Sequence, residues 1–204
     1  MSWPGGFSAT TAILAIVVGY LIGSIPFGLL LTRAAGLGDI RKIGSGNIGA
    51  TNVLRTGRRG LALATLLLDG AKGAAGVLIA VADVGPWGVL VGGVAAVLGH
   101  LFPAWLSFRG GKGVAAGFGV LIAASPVVGL TCGAVWLIVA WLTRISSASA
   151  LSAFAAAPIL AGLLVQAWPL IALALILAVL IYIRHEENIR RLIAGTEPRI
   201  GQRH

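Results

Sequence analysis

Apolar residues in this chain come in long runs divided by short polar breaks. The first run covers residues 10–32 and stops at Arg33, after which a polar, glycine-rich and basic stretch continues to Gly60. The second, 61–82, carries Asp69 and Lys72 in its middle. A Gly85-Pro86 turn separates it from the third, 87–108. Arg109-Gly110-Gly111-Lys112-Gly113 breaks the pattern again. The apolar segment after it, 113–124, has only about a dozen residues, against the roughly 20 a spanning helix needs. Beyond Ser125-Pro126 the pattern resumes to Leu142, then breaks at Thr143-Arg144 and the serines 146, 147 and 149. Two last runs, 148–165 and 169–183, flank Gln166-Ala167-Trp168, and a polar, basic tail runs from Arg184 to His204. The pattern predicts an all-α, polytopic integral membrane protein of about seven transmembrane helices, forming one domain over residues 1–204. The fourth helix is the one whose length leaves a full crossing open.

Composition supports the same class. Of 204 residues, 58% are hydrophobic and 10% charged, where a soluble domain carries about 25% charged residues. There is too little polar surface to cover a water-soluble particle of this size. The formal net charge of +9 falls at the ends of apolar runs, so it marks a membrane face and anion sites. No basic patch interleaved with aromatics speaks for nucleic acid. The single cysteine, Cys132, excludes an intrachain disulfide framework and sits in an apolar run as a packing residue. No Cys/His cluster has zinc spacing, so neither a metal nor another cofactor is expected. No Lys or Arg opens the N-terminus as in a secretory signal, and the first run is expected to be retained.

All fifteen Lys and Arg lie in or beside residues 33–72, 109–112, 144 and 184 onward. Seven crossings would put these on one side, leaving the turns near Pro86, Ser125 and Trp168, with no basic residue, on the other. The positive-inside bias then predicts the N-terminus outside, the C-terminus in the cytoplasm, and an outer aromatic belt of Trp3, Trp87 and Trp168. A one-sided polar cluster suits an enzyme whose soluble substrate arrives from the cytoplasm. A transporter of a phosphorylated solute is the alternative, and it would gather polar groups nearer the midplane.

Three polar segments can carry chemistry. In the first, Gly23-Ser24-Ile25-Pro26-Phe27-Gly28, Pro26 should kink a helix and free carbonyls. Ser24 either bonds its own helix backbone or faces a site. Further on, residues 44–52 alternate glycine with Ser45, Asn47, Thr51 and Asn52, a loop able to aim amide hydrogens at an anion. Arg41 and Arg55 add charge; a plain flexible loop is the alternative. The second segment, 108–115, lacks the spacing of a nucleotide-binding phosphate loop. It still feeds a glycine turn with two cations, Arg109 and Lys112, into a helix N-terminus, where unsatisfied amides favour phosphate. An anchor to lipid headgroups is the plainer reading. In the third, helical spacing aligns His185, Asn188 and Leu192 on one stripe and lets Glu187 pair with Arg191. A solvated charged helix end would look the same. Asp69 and Lys72 are expected to neutralise each other, and His100 to pack at a helix end. Neither a His-x-x-x-x-Asp motif nor a Gly-x-Ser-x-Gly elbow is present.

Together the strings GSIPFG, GSGNIGATN, RGGKGVA and HEENIRRLIAGTE, in this order, resemble those of the bacterial acyl-phosphate:glycerol-3-phosphate acyltransferases of the PlsY type. The resemblance spans nearly the whole chain. It implies transfer of a fatty acyl group from acyl phosphate to the 1-hydroxyl of glycerol 3-phosphate, giving 1-acylglycerol 3-phosphate and phosphate, in the bacterial inner membrane with the active site facing the cytoplasm. It implies no metal, cofactor or obligate protein partner, only the two substrates and membrane lipid. By motif, Ser24, Lys112, His185 and Asn188 would be catalytic. Arg41, Ser45, Gly46, Asn47, Asn52, Arg109, Gly110, Gly111, Gly113, Arg144 and Ser147 would bind substrate and phosphate. Arg109 stands where the family more often has lysine, and Ala116 where it often has a hydroxyl residue.

Overall fold

The computed structural model describes residues 9–201, which leaves Trp3 outside the described residues. The helices are α1 (Ala9–Gly23), α2 (Phe27–Ala34), α3 (Ala50–Leu54), α4 (Arg59–Val84), α5 (Gly88–Leu101), α6 (Val114–Ala124), α7 (Pro126–Thr143), α8 (Ser146–Leu164), α9 (Trp168–Arg184) and α10 (Glu186–Ile193). Breakers set the boundaries. Pro26 interrupts the first apolar run and separates α1 from α2. Gly113, at φ +84°, turns the chain into α6. Pro126 and Pro169 occupy first-turn positions of α7 and α9, where no amide hydrogen is missed.

The expectation of about seven transmembrane helices is corrected. Among the described residues, four stretches are long and apolar enough to cross a membrane: Ala9–Ala34, Arg59–Leu106, Pro126–Thr143 and Ser146–Leu164. The pair Trp168–Arg184 and Glu186–Ile193, bent by 67°, makes a fifth if counted as one span. Counting a crossing at every polar or glycine-proline break overestimated the number for two reasons. The second and third runs form one apolar stretch of 48 residues, folded back on itself at Gly85-Pro86, and its second limb, α5, has only 14 residues. α6 has 11 residues, about 16 Å of helix against a hydrocarbon core of about 30 Å. The parity argument that put the N-terminus outside and the C-terminus in the cytoplasm falls with the count.

Packing centres on α4 and relies on small residues. An added Cβ would lie 2.1 Å from Ala116 O at Gly73, 1.9 Å from Gly70 O at Gly119, and 2.1 Å from Gly76 O at Gly92. Backbones touch backbones at these crossings, which is how helices associate where lipid supplies no hydrophobic drive. Around this centre Val77, Val97, Leu101, Val120, Leu121, Phe154, Leu173, Leu177 and Ile181 are fully buried. They form one core shared by α4, α5, α6, α8 and α9. α7 lies at the edge, with Leu130, Leu137 and Trp141 exposed.

The α4–α6 crossing generates a prediction. Gly119→Val should lower stability by about 1–3 kcal/mol through overpacking, read as a lower unfolding midpoint in detergent. Gly133→Ala inside α7, where a Cβ meets nothing within 4 Å, should leave the midpoint unchanged or raise it.

Candidate functional site

Lys112 leaves the glycine turn just before α6, and its ammonium donates to Asn188 Oδ1. The Asn188 amide in turn donates to Glu197 Oε1. Glu197 is the hub: Ser147 Oγ donates to Oε1 at 2.7 Å, and Arg191 Nε to Oε2 at 2.7 Å. The Glu197 side chain is only 7% exposed. A line of polar groups thus joins the second and third motifs to the start of α8. The loop reaches the same place through Thr51 Oγ1, 3.3 Å from Ser146 Oγ.

The local sequence explains this convergence. Gly195, at φ +68°, ends α10, and the Thr196 amide returns to Arg191 O at 2.8 Å. This C-terminal helix cap reverses the chain and delivers Glu197 back to the helix. Further along, the Ile200 amide donates to Arg144 O at 2.6 Å, with Arg144 itself left-handed at φ 59°. The tail is therefore strapped across the α7–α8 junction, and Arg144 contributes its backbone to that strap.

His185 is buried at the α9–α10 bend, with Nδ1 2.8 Å from Ile181 O. A carbonyl can only accept, so Nδ1 carries the proton and Nε2 is left as an acceptor. Around Gly110 and Gly111 the backbone is already engaged: their amides donate to Leu101 O and His100 O, each at 3.0 Å. The amides open to an anion are those of the first turn of α6. The two glycines are needed for close approach. A Cβ on Gly111 would sit 2.1 Å from His100 Nε2, and one on Gly110 2.1 Å from His100 O. Arg184 lies along this turn, 3.3 Å from both glycine carbonyls.

Asn52 organises the loop. Its amide group donates to Ile40 O, Ile43 O and Asn47 O at 2.8 to 3.1 Å, and its oxygen accepts from the Ser45 amide at 3.0 Å. Asn47 Oδ1 accepts from Gly49 N at 2.8 Å, a turn typical of asparagine. Gly46, at φ +70°, tightens the same loop. Ser45 and Gly46 are exposed.

Not every expected residue joins the centre. Ser24 is buried in the helix break; its hydroxyl donates to Tyr20 O at 2.7 Å and its carbonyl accepts from Trp105 Nε1 at 2.6 Å. Arg109 is exposed on the turn. Arg41 is committed to Asp39, with Nη2 2.6 Å from Oδ2. That guanidinium holds the Asp39 carboxyl well below its usual range. Arg55 makes no ion pair among the described residues and leans on the loop, where a Cβ on Gly44 would meet its Nη1 at 3.1 Å. The sequence reading gave Arg55 only a supporting charge beside Arg41 in the loop, and it missed Glu197. The signal for Glu197 was Gly195, a helix-ending glycine that reverses the chain two residues earlier.

Burial holds the Lys112 ammonium below its ordinary pKa, with the Glu197 charge opposing that shift. Burial by itself would raise Glu197. Hydrogen bonds from Ser147, Asn188 and Arg191 outweigh it, and the carboxyl lies below its ordinary value.

A helical membrane bundle bearing a lysine–asparagine–carboxylate line beside a glycine turn defines an integral membrane protein with a polar centre held at one end of its helices. The glycerol-3-phosphate acyltransferase family model matches residues 13–195. A glycerol-3-phosphate acyltransferase of Paramagnetospirillum magneticum is 62% identical over 190 residues, covering 93% of this chain and 94% of that one. One of Cereibacter sphaeroides is 60% identical over 191 residues, covering 94% and 90%. The crystal structure of PlsY (YgiH), an integral membrane glycerol 3-phosphate acyltransferase, in its glycerol 3-phosphate form, matches with a TM-score of 0.88 at 38% identity, covering 93% of this chain and 96% of that one. The chain belongs to the glycerol-3-phosphate acyltransferase family, and it is a multi-pass inner-membrane acyltransferase.

The Glu197 network carries a sign for pH. A carboxyl lowered on folding contributes stability that is present above its unfolded value and is lost as pH falls through the folded one. Acidification below the ordinary carboxylate value of 4.5 should therefore release the tail. Hydrogen-exchange protection of the Thr196 and Ile200 amides, which donate to Arg191 O and Arg144 O, should fall at low pH or in Glu197→Ala at neutral pH, and unchanged protection in both would refute the strap.

Proposed function

We propose that the site transfers the acyl group of acyl phosphate to the 1-hydroxyl of glycerol 3-phosphate, using Lys112, Asn188, His185 and the loop of Ser45, Asn47 and Arg55. The observation that carries this is the Lys112–Asn188–Glu197 line, a cation fixed at the mouth of a glycine turn. Both substrates are phosphorylated, and acyl phosphate is already activated, so the main task is to hold two anions close and aligned. The Lys112 ammonium and the α6 first-turn amides stabilise charge growing on the carbonyl oxygen and on the departing phosphate.

The 1-hydroxyl oxygen attacks the acyl carbon, forming the ester C–O bond. The bond from that carbon to the phosphate oxygen breaks, and inorganic phosphate leaves. The hydroxyl proton passes to a phosphate oxygen of a substrate, while His185 Nε2 orients the hydroxyl. Arg55 takes the anion-binding role in the loop, because Asp39 already neutralises Arg41. Asn188 fixes the ammonium, and Glu197 fixes Asn188. Gly110, Gly111 and Gly113 shape the turn, and Asn52 holds the 44–52 loop together through its bonds to Ile40, Ile43, Ser45 and Asn47. The acyl tail would lie between helices, open to lipid, where each buried methylene contributes about 0.8 kcal/mol. The site faces the cytoplasm in this reading, since basic residues gather around it and basic loops stay inside. A transporter would leave the family relationship unexplained.

Purified enzyme given acyl phosphate and labelled glycerol 3-phosphate should form lysophosphatidic acid without CoA, and Lys112→Ala should abolish it. Arg55→Ala should raise KM for glycerol 3-phosphate by about tenfold, as loss of a charge-assisted contact does, and more than Arg41→Ala does. The reverse order would return the role to Arg41. With Lys112 lowered by burial, wild-type activity should decline on the alkaline side before the 10.5 of an ordinary lysine. Loss of turnover with intact substrate affinity in His185→Ala would assign the proton to His185. For orientation, Arg58→Cys should react with an impermeant maleimide only after the cells are opened.

A further inference from the structure

Three ionisable residues lie outside the centre just described, inside the bundle. Lys72 and Asp69 of α4 are each 2% exposed in their side chains and stand 2.7 Å apart. His100, at the end of α5, has Nδ1 3.7 Å from Asp69 Oδ1. That nitrogen has no hydrogen-bond partner and is buried. A pair serving only to cancel charge would end there. This one reaches out at both ends.

At one end Lys72 Nζ donates to Ile25 O at 2.6 Å and lies 5.7 Å from the centre of the Phe27 ring. It grips the chain on both sides of Pro26, where the α1–α2 break exposes backbone carbonyls that lipid cannot satisfy. At the other end, His100 O holds the Gly111 amide at 3.0 Å, and its imidazole packs where a Gly111 Cβ would stand. Lys112 is the next residue. Meanwhile Trp105, on the segment leading into the same turn, donates to Ser24 O at 2.6 Å in the same break.

We propose that Lys72, Asp69 and His100 are positioning residues for acyl transfer: they lock the broken α1–α2 helix and the Gly110–Lys112 turn into one frame and so set where the Lys112 ammonium stands. None of the three touches the reacting atoms; they act through Ile25 and Gly111. The inference rests on Lys112 acting at the site. A misplacement of about 1 Å of such a group costs on the order of a hundredfold in rate.

The test uses the full-length enzyme in detergent and reads kcat, KM for glycerol 3-phosphate and the unfolding midpoint. Asp69→Leu combined with Lys72→Met removes both charges together and leaves no lone buried ion. His100→Gln keeps polarity in a similar volume. Each should keep a cooperative unfolding transition while kcat per folded molecule falls by about tenfold or more and KM changes less than about threefold. Wild-type kcat in a folded variant, or a rise in KM with kcat intact, overturns the proposal. Should the double variant fail to fold, His100→Gln decides by the same split. Lys112→Ala runs alongside. Turnover retained there would refute the site itself, whereas its loss beside unimpaired core variants would refute only the positioning role.

Discussion

Everything in the centre depends on keeping one ammonium in place at the edge of a medium that does not solvate it. Lys112 is half-buried, and its nearest polar neighbour is a neutral amide. A carboxylate in direct contact would hold the lysine more tightly and would also occupy the cation a phosphate must reach. Asn188 separates the two. Its oxygen faces the cation and its amide faces Glu197, so attraction from the carboxylate is felt one group away. The serine and arginine on Glu197 complete its shell, which leaves little freedom for the carboxylate to swing toward the lysine.

That arrangement needs rigid support, and the support comes from backbone contact. α4 meets α5 and α6 at glycines and alanines, so the helices pack at their closest approach. The close packing carries ionisable side chains into the bundle, where each must find its partners within the protein. The same economy of space explains Gly110 and Gly111, whose missing side chains let a turn lie directly on His100.

Much of this was legible in the chain. The break at Pro26 and the left-handed glycine that starts α6 follow from residue type alone. The second and third motifs meet through Lys112–Asn188, and the 44–52 loop reaches the neighbouring start of α8 through Thr51–Ser146, while Ser24 stays in the helix break. The number of spans was not legible, because hydropathy cannot tell a turn folded within one apolar stretch from a true loop. Nor could spacing show that Asp39 consumes Arg41, or that Leu101 and His100 carbonyls consume the turn's amides. Glu197 was hidden for a similar reason. Its partners Ser147, Asn188 and Arg191 lie on two helices, and only the chain reversal at Gly195 brings the carboxylate to them.

α7 shows the opposite regime. Only 17% of it is buried, and Trp141 is 80% exposed. Hydrocarbon tails barely distinguish leucine from isoleucine, valine or phenylalanine, so selection has little purchase on its outer positions. Among descendants of a common ancestor, drift should collect on this face while the glycine crossings stand still. A hydrophobic helix that varies freely between lineages would thus record the history of the membrane around it rather than any change in catalysis.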